Sequence, residues 1–280
     1  MTRVRLGLFG AGISRSQAPR LHHLAGQLCG LDVSYELFDL NNFGLNGFGT
    51  GSFEQALARV AEQGFHGVNV THPLKERAVK LVSMPDPAMR QIGAVNTLRL
   101  ADKTGYNTDY SGFIKAFQVR FGNVSPGTVL MLGAGGVGRA VAFARFRLDA
   151  RTVLHIGDTD RVKAETLAQD LHKAGLKASV HGAGDLLDLT AVDGLINCTP
   201  LGMVQYPGSA LPKELVGGQR WAFDAVYTPL ETEFLLNAKR AGLEVLSGYE
   251  LFFYQGVNAF EIFTGQYVDE IQLRQALARG

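Results

Sequence analysis

The stretch Asn69-Val70-Thr71-His72-Pro73-Leu74-Lys75 sets hydrogen-bonding side chains beside a lysine. Val68 and Val70 are apolar and Asn69 and Thr71 polar, so the run reads as the end of a strand. Pro73 then suits the first turn of a helix. Lys75 falls in that turn, where the helix dipole disfavours a cation. A lysine with a lowered pKa can act as a general base near neutrality, and its cation can stabilise an oxyanion. A carboxylate follows in Asn107-Thr108-Asp109, and further polar groups stand at Ser14-Arg15-Ser16 and Asn96-Thr97. Uncharged donors with one lysine–aspartate pair suit a small polyhydroxylated ligand that carries a carboxylate. Each cluster alone also has a plainer reading. Thr71, Thr108 or Asp109 can cap a helix, and Asn96 can satisfy a turn.

A second kind of chemistry sits at Gly133-Ala134-Gly135-Gly136-Val137-Gly138, which follows the apolar run Val129–Leu132 and opens an amphipathic pattern. This is G-x-G-x-x-G between a strand and a helix. The first glycine permits a tight turn, the second lets backbone approach a pyrophosphate, and the third allows close helix–strand packing. The helix N-terminus holds the anion. Asp158 ends the next strand. Its carboxylate can accept hydrogen bonds from the adenine-ribose hydroxyls of NAD and would repel the 2′-phosphate of NADP. The next residue is Thr159 rather than an arginine, although Arg161 is near enough in sequence to swing in. The expectation is NAD rather than NADP. Asp158 taken alone also suits a turn or a helix N-cap.

These residues need elements to hold them, and strand-like and helix-like stretches alternate along the chain. The expected strands are 4–9, 34–39, 67–71, 94–100, 129–132, 152–157, 178–181, 194–197, 221–226 and 244–246. Helical patterns lie between most of them, as at 19–29, 53–62, 137–147 and 161–174. Such alternation implies an α/β fold with mainly parallel sheets covered by helices. Two lobes are expected. Residues 1–105, completed by the helical stretch from 248 to 280, form a substrate-binding domain, and 106–247 form a Rossmann dinucleotide-binding domain. A ligand is expected in the cleft between them. The glycine-rich run Gly44–Gly51 reads as a flexible loop.

Composition excludes other classes. The chain has 280 residues, with 27 basic and 26 acidic, so no basic excess points to nucleic acid or an anionic membrane surface. No apolar run approaches the ~18 residues of a membrane helix, and the N-terminus lacks a signal-peptide core. A cytoplasmic protein is expected, as a monomer or homodimer. Cys29 and Cys198 do not make a disulfide framework and read as inert core residues. The adjacent His22 and His23 read as packed or solvated helix residues, and alternation turns His72 away from Thr71. No His/Cys/Asp grouping has metal-ligand spacing, and no metal is expected.

Taken together, NVTHPLK, GAVNT, NTDYSGF, GAGGVGRA, NCTPLGM, VYTPLETEFL and YQGVNAFEIFTG resemble the shikimate/quinate dehydrogenase family in order and spacing along nearly the whole chain. The Asp158-Thr159-Asp160 run is similar to its NAD-using quinate/shikimate branch. The resemblance implies hydride transfer between NAD(H) and shikimate/3-dehydroshikimate, with quinate/3-dehydroquinate as a second pair. It implies Lys75 and Asp109 as the catalytic pair. Asn69, Thr71, Asn96 and Gln255 become ligands for hydroxyls of a cyclic polyhydroxy carboxylic acid, and Tyr227 faces that substrate. Ser16 looks like one of two hydroxyl side chains that bind the carboxylate. The second would fall at Ala18, so Ser14, Arg15 or Gln17 substitutes, or the preferred acid differs. Gly133, Ala134, Gly135, Gly136, Val137 and Asp158 match the cofactor loop. Thr199, Met203, Val226 and Gly248 match its nicotinamide end. A homologue on a related polyol acid, or one that binds with little turnover, is the alternative. A flavin or sugar-nucleotide enzyme leaves the polar clusters of the first lobe unexplained.

Overall fold

The computed structural model describes residues 2–42, 52–182 and 189–279. The run Gly44–Gly51, read above as a loop, lies outside them. The chain forms two compact units, Met1–Thr108 with Gln255–Gly280, and Asp109–Tyr254.

The first unit is built on a five-stranded sheet. Its strands are β1 (Thr2–Gly10), β2 (Leu31–Asp39), β3 (Gly67–Val70), β4 (Thr97–Arg99) and β5 (Thr104–Tyr106), in the order β2-β1-β3-β4-β5. β2, β1 and β3 are parallel, and β4 and β5 add antiparallel. Period-two alternation decides which residues share a face. Phe9, Phe38 and Val70 are register partners and point into one core with Phe53, Val60 and Phe65. Phe53 and Val60 come from helix α2 (Phe53–Glu62). Ser52 and Gln55 form a capping box at its start, which satisfies two backbone donors that the helix leaves orphaned.

The opposite face carries Leu6, Leu8, Tyr35, Gly67 and Asn69. Helix α1 (Ala18–Leu28) lies there, with Gly26 against Val33. Two short helices, α3 (Lys75–Ala78) and α4 (Pro87–Ile92), follow β3. Small residues set the approach of the C-terminal helices. A Cβ on Gly256 would meet Leu21 at 2.7 Å, and one on Gly67 would meet the Phe263 ring at 2.2 Å.

The second unit begins in helix α5 (Thr108–Phe121) and holds a six-stranded, wholly parallel sheet. Its elements are β6 (Val129–Leu132), α6 (Gly136–Leu148), β7 (Val153–Gly157), α7 (Arg161–Lys173), β8 (Lys177–Val180), β9 (Gly194–Asn197), β10 (Trp221–Asp224), α8 (Glu233–Arg240) and β11 (Glu244–Leu246). The order is β11-β10-β9-β6-β7-β8, and the winding reverses between β9 and β6. This is the doubly wound arrangement, with its ligand crevice at the carboxyl ends of the strands beside the reversal. The next helix, α9 (Gly248–Thr264), begins in this unit and ends in the first, and α10 (Glu270–Ala278) closes the chain.

The α/β expectation holds, and β6, β9 and β11 have the expected bounds. Several details differ. Pro73 does not open a helix. Leu74 N–H closes a turn onto the Thr71 carbonyl at 2.9 Å, so helical geometry starts at Lys75. Nor does Thr71 cap it, because no side chain caps that helix. The strand expected over 94–100 is confined to Thr97–Arg99. Val95 N–H turns to Lys75 C=O, leaving Asn96 before the ladder. Neither cysteine is a core residue, since both are half-buried. Cys29 ends α1, where partial burial raises its thiol pKa. Among the described residues no helix is long and apolar enough to cross a membrane.

Gly67→Ala is expected to destabilise the protein by about 1–3 kcal/mol, because the Phe263 ring and the Leu98 carbonyl both stand where the new methyl would go. Urea unfolding should show a lower midpoint with an unchanged slope.

Candidate active site

Backbone pairing gathers the polar clusters of the first unit. Thr71 N–H donates to Phe9 C=O (2.8 Å), which fixes the residue after β3 to the end of β1. Val70 N–H donates to Asn96 C=O (2.8 Å), and Val95 N–H donates to Lys75 C=O (2.9 Å). Asn69, Thr71, Lys75 and Asn96 are thereby held around the carboxyl end of β3. Lys75 and Thr71 are half-buried, so each keeps a route to a ligand, whereas Asn69 and Asn96 are buried. Lys75 is the first residue of α3. His72 is exposed, and His22 is buried while His23 is not.

The Ser14–Ala18 segment is fixed from the end of β2. The buried Asp39 carboxylate accepts the N–H groups of Gly12, Ile13 and Asn41, each at 3.0 Å. Ser16 N–H donates to Ile13 C=O (2.9 Å), and Ser16 Oγ accepts the Ala18 N–H (3.2 Å). That bond uses a lone pair and leaves the Ser16 proton able to donate to an anion. Ser14 and Arg15 are exposed. Gln255 is half-buried on α9, and its Oε1 lies 3.5 Å from Thr108 Oγ1.

In the second unit the glycine loop has the geometry that its sequence demands. Gly133 has φ +98°, and a Cβ there would strike the backbone of Cys198 at 2.6 Å. A Cβ on Gly138 would come within 2.0 Å of Gly133 C=O, so helix and strand meet only through glycine. Gly135, by contrast, faces open space. It is the N-cap of α6 and offers no side-chain acceptor, so the first N–H groups of that helix, Val137 included, are not capped by it. An uncapped helix start with room beside Gly135 fits a dinucleotide pyrophosphate. Asp158, after β7, accepts the Ala134 N–H (2.7 Å) and the Asp160 N–H (2.8 Å). The carboxylate is part of a turn and also pins the glycine loop, while the α7 N-cap is Asp160.

The other side of this sheet holds Thr199, Met203, Val226, Tyr227 and Gly248. Asn197, at the end of β9, accepts from Thr199 N–H (2.9 Å) and Oγ1 (2.7 Å) and donates to Asp224 Oδ1 (2.9 Å). Asp224, ending β10, also accepts from Val226 N–H (3.0 Å) and Thr232 Oγ1 (2.5 Å). One buried carboxylate thus ties the Thr199 loop to the Val226–Tyr227 loop. A Cβ on Gly248 would meet Val226 C=O at 2.5 Å. The Tyr227 ring stacks on Phe252 (4.9 Å, 15°), and its burial raises the phenol pKa. Met203 is exposed, in the turn that Tyr206 closes. Asp109 is buried in the first turn of α5. Asp39, Asp224 and Tyr35 were missed in the sequence, although Asp39 and Asp224 end their strands as polar candidates do.

The chain matches the family model described as the shikimate dehydrogenase substrate binding domain over residues 8–98. It is 36% identical over 274 residues to the NADP(+) shikimate dehydrogenase of Arthrobacter sp. (strain FB24), covering 96% of this chain and 92% of that protein. It is 33% identical over 277 residues to the NAD(+) quinate/shikimate dehydrogenase of Corynebacterium efficiens, covering 97% and 96%. The structure of quinate dehydrogenase from Corynebacterium glutamicum in complex with NAD superposes with a TM-score of 0.91 at 32% identity, covering 100% of both chains.

Burial pushes the Asp224 carboxyl up to about 6, against the opposing bonds from Thr232, Val226 and Asn197. A raised carboxyl pKa favours the folded state below its unfolded value near 4, and the benefit is lost as pH rises towards 6. The stability of the parent relative to Asp224→Asn should therefore fall by about 2–3 kcal/mol between pH 4 and 6, measured by urea unfolding at each pH. A flat difference would contradict this assignment.

Proposed function

This chain belongs to the shikimate/quinate dehydrogenase family, and from that premise we propose that it transfers hydride between NAD(H) and shikimate/3-dehydroshikimate, with quinate/3-dehydroquinate as a second pair. The observation that carries the substrate side is the pinning of Asn69, Thr71, Lys75 and Asn96 around the end of β3. Those residues lie in the segment that matches the substrate-binding model.

When bound, the dinucleotide supplies or takes the hydride at the carbon that bears the reacting hydroxyl. The residues of this chain position the reactants and move the proton. Lys75 Nζ accepts the hydroxyl proton on oxidation and returns it on reduction, and its cation stabilises the developing oxyanion. Asp109 balances that charge. Thr71, Asn69, Asn96 and Gln255 receive the remaining hydroxyls, and Tyr227 lies against the ring. Ser16 donates to the carboxylate, with Ser14 as a second hydroxyl in the same turn. Ala18 offers a methyl where the second hydroxyl would otherwise stand, so Ser14 supplies the bond that position 18 lacks. The choice between shikimate and quinate rests on that segment.

The α6 N-terminus and the backbone of Gly133, Ala134, Gly135, Gly136 and Val137 hold the pyrophosphate. Thr199, Met203, Val226 and Gly248 line the nicotinamide end. Asp158 reads the ribose. A 2′-phosphate would add negative charge beside a carboxylate that already fixes the loop, and Thr159 brings no compensating cation. NAD is therefore the preferred cofactor.

Lys75→Ala is expected to lower kcat by about 10²–10⁴-fold with the Kd for NAD unchanged, measured by steady-state kinetics and by calorimetric titration. Turnover close to the parent would remove Lys75 from the mechanism. In a kinetic matrix of shikimate and quinate against NAD and NADP, kcat/KM should be higher with NAD for every acid that turns over. A higher value with NADP would overturn the reading of Asp158.

A further inference from the structure

The substrate ligands proposed for the first unit share one hydrogen-bond network. Asn69 and Thr97 face each other in the antiparallel β3–β4 register. Tyr35 reaches over β1 from β2, and its hydroxyl donates to Asn69 Oδ1 (2.8 Å). Asn69 Nδ2 donates to Asn96 C=O (3.2 Å) and to Thr97 Oγ1 (3.0 Å). The two ends of an amide are told apart by their partners. A backbone carbonyl only accepts, so the nitrogen must face Asn96 C=O and the oxygen Tyr35. Both Nδ2 hydrogens are then used, and a lone pair on Oδ1 is what Asn69 has left.

Asn96 is fixed in the opposite sense. Its Oδ1 takes the Thr108 N–H (2.7 Å), a group that only donates. The hydroxyls of Thr97 (3.0 Å) and Thr108 (3.1 Å) also point at this oxygen. They lie 3.1 Å from each other, and Thr108 Oγ1 leads on to Gln255 Oε1 at 3.5 Å. The oxygen is occupied, and the Nδ2 donors of Asn96 remain for a ligand.

Resting on the reading of Asn69, Asn96 and Gln255 as substrate ligands, we propose that Tyr35, Thr97 and Thr108 are positioning residues that set the sense of the two amides: Asn96 meets a substrate oxygen only as donor, and Asn69 meets a substrate hydroxyl only as acceptor. The network thereby reads which substrate oxygens carry protons. The support below it is apolar. Tyr35 stacks on His22 (4.8 Å, 17°), which also touches Phe260 and Phe263. Burial, reinforced by His23, holds the His22 imidazole down to about 3, so that ring is neutral.

Tyr35→Phe keeps the stacked ring and deletes the hydroxyl alone. Its KM for the acid should rise about threefold to tenfold, the worth of one hydrogen bond, with the KM for the dinucleotide unchanged. Thr97→Val frees a buried Asn69 donor as well and should raise the acid KM by more than tenfold, while Thr97→Ser restores it to within about threefold. Should Thr97→Val fail to fold, Tyr35→Phe and Thr97→Ser decide alone. A lower Tm with the acid KM of Tyr35→Phe within twofold of the parent would make the network merely structural and overturn the inference. A parent enzyme that turns over neither shikimate nor quinate would instead overturn the proposed function, and this inference with it.

Discussion

One backbone donor, the N–H of Thr108, decides which way the Asn96 carboxamide faces. The neighbouring backbone makes that decision matter widely. Asn96 C=O receives Val70 from β3, Asn96 N–H goes to Tyr106 of β5, and Val95 N–H goes to Lys75. The two-residue stretch Val95-Asn96 therefore sets the place of the lysine, the end of a strand and the start of a helix. Its polar groups are buried and bonded to one another, so displacement of one leaves others unpaired at a cost of about 1–3 kcal/mol each. Such networks hold side chains to one geometry because the alternatives are expensive.

The dinucleotide unit reaches similar precision by steric means. Gly133 and Gly138 admit no side chain, and the backbone they bring together leaves the start of α6 uncovered. Asp158 then fastens the loop by its Ala134 bond. The same carboxylate stands where a ribose is expected, so a ligand that engages it must either share it or displace that bond. The opposite side of the sheet depends on Asp224, whose acceptors gather Asn197, Val226 and Thr232.

The sequence was most legible where a local pattern carries the whole constraint. The glycine turn names its strand and helix, and the apolar run of β9 ends at the polar Asn197. Legibility failed where the constraint is non-local or the element is short. Three-residue β4 and β5 give too few positions to show alternation. Pro73 suits both a helix start and a turn, and the Thr71–Leu74 bond that settles the matter depends on a neighbouring carbonyl. Tyr35 reads as one more apolar position of β2, since nothing near it in the chain announces Asn69 thirty-four residues away. Asp39 and Asp224 look like ordinary strand-end acids until their donors are seen. Lys75, Asn69, Thr71 and Asn96 could be singled out because types and spacing repeat a recognisable order, whereas the bonds that fix them had to be observed.

Thr108 is the last residue of the first segment of its unit, and Gln255 is the first residue of the second. Their side chains lie 3.5 Å apart. The segment between them, Asp109–Tyr254, leaves and rejoins the first unit at a single spot. In topological terms the dinucleotide unit is an insertion, and the host is a continuous fold interrupted where its two cut ends touch. An insertion with adjacent ends places little strain on its host. That arrangement lets a nucleotide-binding module be acquired or exchanged in the middle of a gene without re-routing the chain that frames it.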